Sequence, residues 1–218
     1  MNLSRKILAG AVIALLPLTG AMACTTSAWS TTTGAPVADD PDTSAATNAT
    51  ETASVKRYSG NCGLAPASGA ASHVTNNTVA DAIYRARFYV FTGLATGNPQ
   101  AFEAYTGEDG GGTSVFSVTY DRANNELDFT AAGTTVPSVP VVAGKWYSVE
   151  LFHNSGNPLS ISVEGNNAAV AAGTPATVAS AAAVTGTVQS VRLGNLNGSA
   201  LTFGGAPGAN NSFGFFRG

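Results

Sequence analysis

The sequence predicts an all-β protein, an antiparallel two-sheet sandwich, and three observations carry that expectation. Gly144–Phe152 (GKWYSVELF) sets Tyr147, Val149 and Leu151 on one side of a strand and Trp146, Ser148 and Glu150 on the other. Short segments of this kind recur along the chain, with Gly, Asn, Asp or Pro in nearly every gap. Charged residues make up only 11% of the 218 residues and glycines number 25, a composition that suits an exported all-β protein better than a cytosolic enzyme.

Taken in order, residues 1–23 read as a signal peptide. Arg5 and Lys6 precede the apolar stretch Ile7–Gly20, and Ala21-Met22-Ala23 is a small-x-small cleavage site. Gly10 and Pro17 interrupt the apolar stretch, which is too short for a comfortable membrane span. The expectation is export, to the periplasm, the outer membrane or the medium, with membrane contact only through the signal or a lipid anchor. Cleavage would place Cys24 first, and two exclusive readings of it stay open. It is acylated through sulfur, although Ala21 stands where bacterial lipoboxes usually carry Leu or another large aliphatic residue. Alternatively it forms a disulfide with Cys62 in an oxidising compartment. Two cysteines are too few for a disulfide scaffold or a zinc site.

Residues 24–54 are rich in Thr, Ala, Ser and Pro and read as a spacer, with Trp29 as a candidate start of an edge strand. The sandwich domain is expected over 55–218. Strand-like segments fall at Val55–Ser59, Ala71–Thr75, Ile83–Thr92, Gln100–Thr106, Ser114–Asp121, Glu126–Ala131, Lys145–Phe152, Leu159–Glu164, Gly186–Leu193, Ala200–Phe203 and Ser212–Phe216. Ala168–Ala183 reads as a loop with short extended pieces, because Pro175 and the Thr/Val content oppose a helix. Removing the signal leaves 8 basic residues against 13 acidic, a net charge of about −5. No Lys/Arg cluster follows a phosphate backbone, so nucleic acid is excluded as a partner.

Tyr84–Phe91 (YRARFYVF), the Trp146 strand and Ser190–Leu193 (SVRL) together resemble the concanavalin A-like lectin/glucanase superfamily in its small laminin-G-like form. The resemblance covers Val55–Gly218 and extends to small exported proteins of Gram-negative bacteria built on this sandwich. It implies a jelly-roll topology and a carbohydrate ligand. Such proteins often carry acids in the final strand; Phe213–Gly218 has none.

Retaining glucanases of that superfamily carry E-x-D-x-E on one strand, whose period of two aligns the three acids. Glu126 and Asp128 match the first two positions, but Thr130 stands at the third, and a hydroxyl cannot act as the proton donor at neutral pH. Glu108 and Asp109, in the Gly-rich Gly107–Thr113, are candidate calcium ligands of the loop-rim kind the resemblance implies, with Asp121 as an extra one. His73 and His153 are isolated and read as surface hydrogen-bonding groups; a triad of either with Cys62 stays open as the lesser alternative.

The candidate binding face consists of Arg85, Arg87 and Tyr89 on one strand, Trp146 and Glu150 on a second, and Ser190 and Arg192 on a third. If those strands adjoin, an aromatic ring could stack on a sugar while Arg and Glu fork onto its hydroxyls. The plainer reading is a set of cross-strand ion pairs on a solvated face. The expected function is an exported, non-catalytic binding or cell-surface module with a polysaccharide or other glycan as ligand. A glycan-active hydrolase or lyase with a non-standard site, and a structural envelope protein making protein contacts, are the alternatives.

Overall fold

Strands with one apolar side must bury that side, and here two sheets do so against each other. The computed structural model describes residues 29–34, 37–39, 63–65, 70–92, 97–165, 167–199 and 202–204. Within them the strands are β1 (Thr31–Thr33), β2 (Val37–Asp39), β3 (Gly63–Ala65), β4 (Ser72–Asp81), β5 (Ile83–Phe91), β6 (Gln100–Tyr105), β7 (Ser114–Asp121) and β8 (Glu126–Ala131). After these come β9 (Thr134–Thr135), β10 (Val139–Pro140), β11 (Trp146–Asn154), β12 (Asn157–Glu164), β13 (Ala176–Val184), β14 (Val188–Asn195) and β15 (Thr202–Gly204). A 3-10 turn, Glu108–Gly110, interrupts the β6–β7 connection. Among the described residues no helix is long and apolar enough to cross a membrane.

Sheet A runs β1-β4-β14-β6-β7-β8-β10, with β9 also on β8, and sheet B runs β13-β12-β11-β5-β15-β3-β2. The registered pairs are antiparallel throughout, so the fold is an all-β two-sheet sandwich. Chain order and sheet order differ sharply: β14 inserts between β4 and β6, and β15 beside β5.

The core lies between the sheets and is filled by the alternate residues the sequence marked. Tyr147, Val149 and Leu151 of β11 are buried, as are Tyr84, Ala86, Phe88 and Val90 of β5. Phe88 of sheet B stacks on Phe102 of sheet A at 5.3 Å between ring centroids, and Phe102 lies 6.0 Å from Phe116. That aromatic column joins the sheets at their centre, where close packing makes truncation most costly. Tyr147 keeps its hydroxyl satisfied by accepting from Val142 N at 2.6 Å.

Four features depart from the sequence reading. Ala176–Val184 is a nine-residue strand, β13, and not a loop: its backbone pairs with β12, which offsets the poor strand propensity of alanine. The strand begun at Ala71–Thr75 continues to Asp81. His153 is a core residue, fully buried, with Nε2 against Gly186 O at 2.8 Å and its ring 5.6 Å from Phe116. The sandwich also takes β1 and β2 from the stretch read as spacer, with Trp29 packed on the core. Val55–Ser59, Ser212–Phe216, Cys24 and Cys62 lie outside the described residues.

Candidate functional site

Because inward positions are committed to the core, the outer faces of the two sheets hold the functional candidates. On sheet B, β5 and β11 adjoin, and their register sets Arg85 opposite Phe152, Arg87 opposite Glu150, Tyr89 opposite Ser148 and Phe91 opposite Trp146. Five of the six predicted binding residues are therefore brought together: Arg85, Arg87, Tyr89, Trp146 and Glu150. β12 extends the face, with Ser162 opposite Glu150 and Glu164 opposite Ser148.

This face has two halves. At one end Trp146 is 2% exposed and lies 5.4 Å from Phe91, and Tyr89 is 5% exposed. Neither ring is open for a sugar to stack on, contrary to the expectation for Trp146 and Tyr89: in-register aromatic neighbours pack on one another and leave water. The other half is polar. A cleft between β5, β11 and β12 is lined by Arg87, Ser148, Glu150, Ser162 and Glu164. Arg87 donates from Nε to Ser148 Oγ at 3.2 Å, and its guanidinium lies 5.5 Å from the Tyr89 ring centre. Arg85 sits 3.6 Å from a Glu150 oxygen and covers the Phe152 ring at 5.2 Å. Both arginines thus slant the same way along the sheet, Arg85 toward the Glu150 that faces Arg87 and Arg87 toward the Ser148 that faces Tyr89, each backed by an aromatic ring.

Ser148, Ser162 and Glu164 were not singled out from the sequence. The signal was available: period-two alternation from Glu150 reaches Ser148, and a turn at Ser155 and Gly156 (φ 87°) sets the register that delivers Ser162 and Glu164.

Arg192 belongs elsewhere. β14 lies in sheet A, so Arg192 sits on the opposite outer face, between Thr75 of β4 and Glu103 of β6. Alternation tells which side of its strand a residue takes, but not which strand lies beside it, and the chain's return to sheet A separates Arg192 from Arg85 and Arg87. Its guanidinium lies 5.1 Å from the Tyr105 ring centre. Tyr105 donates its hydroxyl to Glu103 at 2.5 Å, and burial followed by that carboxylate pushes the phenol well above its ordinary range. His73, on the same sheet, is 4% exposed; burial first and then Arg192 hold it down to about 4, so its ring is neutral. A Tyr, an Arg and a His thus share this face, yet the tyrosine holds its proton tightly and the histidine is covered.

Glu108 and Asp109 do not gather a calcium shell. Asp109 Oδ1 accepts from Asn77 Nδ2 at 2.9 Å, and its backbone oxygen accepts from Arg192 Nη2. The carbonyl a cation would need is occupied by a guanidinium. Among the described residues no three His, Cys, Asp or Glu side chains group so as to hold a metal ion. On β8, Glu126 and Asp128 do share the outer face, and Thr130 bonds Ser117 at 2.6 Å. Asp128 is raised by burial and then by Asp121 and Glu126, while Glu126 accepts from Ser138 at 2.8 Å.

No protein-family model matches the chain, and no curated protein matches it. Among solved structures it is similar to a Trypanosoma rangeli sialidase at 14% identity and TM-score 0.36, over 65% of this chain and 25% of that one. The chain thus spans about a quarter of the sialidase's length. It is similar to domain 4 of an extracellular arabinanase from Geobacillus stearothermophilus, in complex with arabinotriose, at 12% identity and TM-score 0.34, over 76% and 78% of the two chains. A carbohydrate esterase from the Shiga toxin-encoding bacteriophage phi24B is similar at 15% identity and TM-score 0.39, over 82% and 92%. Scores this low leave the functional reading to the residues themselves.

Proposed function

We propose that the chain is an exported, non-catalytic binding module whose ligand is a glycan, held in the cleft of sheet B by Arg87, Ser148, Glu150, Ser162 and Glu164. The content of that cleft is the observation that carries the reading. A sugar hydroxyl both donates and accepts, so it is best matched by carboxylates that accept, a guanidinium that donates and serines that do either. Strands spaced by about 4.8 Å set these groups far enough apart to reach hydroxyls on different sides of one ring. The test is a glycan array or polysaccharide depletion assay with Arg87→Ala and Glu164→Ala as controls. Each substitution is expected to weaken binding by roughly tenfold, the loss of one charge-assisted hydrogen bond. If the unaltered protein retains no glycan, a structural role through protein contacts takes its place.

A hydrolase is the second reading, because Glu150 and Glu164 line one cleft and glycoside hydrolysis uses two carboxylates. Glu164 is exposed and Glu150 is paired with Arg85, an open arrangement that suits the holding of hydroxyls. Release of reducing ends from a retained glycan, lost in Glu164→Gln, would favour this reading over plain binding.

A further inference from the structure

In the sheet B cleft a positive and a negative group face each other without joining. Arg87 is rooted on β5 and Glu164 on β12, and Ser148 of β11 stands between them, opposite Glu164 in register. Arg87 Nε donates to Ser148 Oγ at 3.2 Å and the guanidinium lies over the Tyr89 ring, so its position is set from two sides. Beyond that bond Arg87 makes no side-chain hydrogen bond or ion pair among the described residues, and Glu164 makes neither. Both Nη groups are therefore open donors, and both Glu164 oxygens are open acceptors.

Strand order keeps the two apart. With β11 between them, β5 and β12 run about 9.6 Å from each other, two sheet spacings. A single hydroxyl that accepts from a guanidinium and donates to a carboxylate holds those partner atoms about 5 Å apart. A trans amide carries its carbonyl and its N–H on opposite edges, so its two partner atoms stand about 8 Å apart. The wider bridge suits the wider gap.

Charge points the same way. Arg85 and Arg87 balance Glu150 and Glu164, so a sugar bearing an ammonium or a carboxylate would bring an unmatched charge to the cleft. A neutral group with one strong donor and one strong acceptor brings none. Ring stacking cannot stand in for these polar contacts, because Trp146 and Tyr89 are both buried.

We propose, resting on the glycan reading above, that the cleft selects an N-acetylated hexosamine. Its acetamido carbonyl accepts from an Arg87 Nη group, and its acetamido N–H donates to Glu164. Hydroxyls beside that group then reach Glu150 and Ser162, which face each other two residues along the same strands.

Three trisaccharides that share one β-1,4-linked backbone and differ at C2 provide the test: chitotriose with acetamido groups, its deacetylated form with ammonium groups, and cellotriose with hydroxyls. Their binding is measured by calorimetry on the full chain. Chitotriose is expected to bind roughly tenfold more tightly than either of the others, the worth of one added charge-assisted hydrogen bond. Arg87→Ala and Glu164→Ala should each bring the chitotriose-to-cellotriose ratio down to about one, which a general weakening of the face would not do. Glu164→Gln retains an acceptor oxygen and should keep more of that ratio than Glu164→Ala. Equal binding of chitotriose and cellotriose overturns the acetamido assignment and leaves the glycan reading standing. Tighter binding of the deacetylated form overturns it in favour of charge recognition. A preference that survives both alanine variants overturns the assignment to Arg87 and Glu164. If none of the three binds, the acetamido proposal falls, and the glycan array decides the broader reading separately.

Discussion

The outer faces of the two sheets use similar residue types to opposite ends. On sheet B, Arg87, Glu150 and Glu164 stand around an open cleft, and the ion pair there, Arg85 with Glu150, has partners 48% and 40% exposed. On sheet A, Arg192 is covered by the Glu108–Gly110 turn, Ser190 is fully buried, and a histidine is sealed beside them. The difference comes from what lies above each sheet. A loop that folds back converts surface polar groups into an internal network, in which each hydrogen bond matters more because its loss leaves a buried group unpaired. Where no loop among the described residues covers the strands, the same groups are exchangeable with water and free for a ligand.

The largest expected effect ignores the contrast. Phe102→Ala removes the ring between Phe88 and Phe116 and should cost about 3–5 kcal/mol in denaturant unfolding, loosening both faces together. Acid should separate the faces. Unfolded His73 takes its proton near 6.5 and the folded residue only near 4. The unfolded chain therefore binds more protons in that window, and stability falls as pH drops from about 6.5, levelling off below about 4. The total is about 3 kcal/mol. A His73→Gln variant should flatten that slope; an unchanged slope would place the acid sensitivity at groups other than His73.

Serines give a sharper comparison. Ser190→Ala strips Gly107 O and Gly110 N of their partner and should cost about 1–3 kcal/mol, whereas Ser162→Ala on sheet B should stay within about 0.5 kcal/mol. Equal costs in paired thermal melts would break the proposed contrast. Arg85→Ala should be comparably mild, since its exposed ion pair with Glu150 contributes about 0.2–1 kcal/mol, less at high salt.

How much of this was legible varied with the kind of information needed. The inward set Tyr147, Val149 and Leu151 and the face shared by Arg87 and Glu150 follow from alternation within a strand and from an antiparallel neighbour. Arg192 shows the limit: its side of the strand was readable, its sheet was not, because β14 joins β4 and β6 through pairings some hundred residues apart in sequence. Trp146 was placed on the correct side and assigned the wrong exposure, since Phe91 opposite it could be known only from register. β13 was missed because alanine reports weakly on strand structure; backbone pairing rather than side-chain character holds it in place.

β13 has one more consequence. It is an outermost strand of sheet B, nine residues long and without a charge, which is the kind of edge that recruits strands from other molecules. Its register is broken opposite Pro158–Ser160, where Ser180 accepts from Leu159 N and donates to Ala182 O. Ala182 N is in turn given to Thr134 of the other sheet. A template for runaway stacking is thereby crimped and tied off by its own neighbours, so crowding of many copies at one surface meets a blunted rim and not a sticky one.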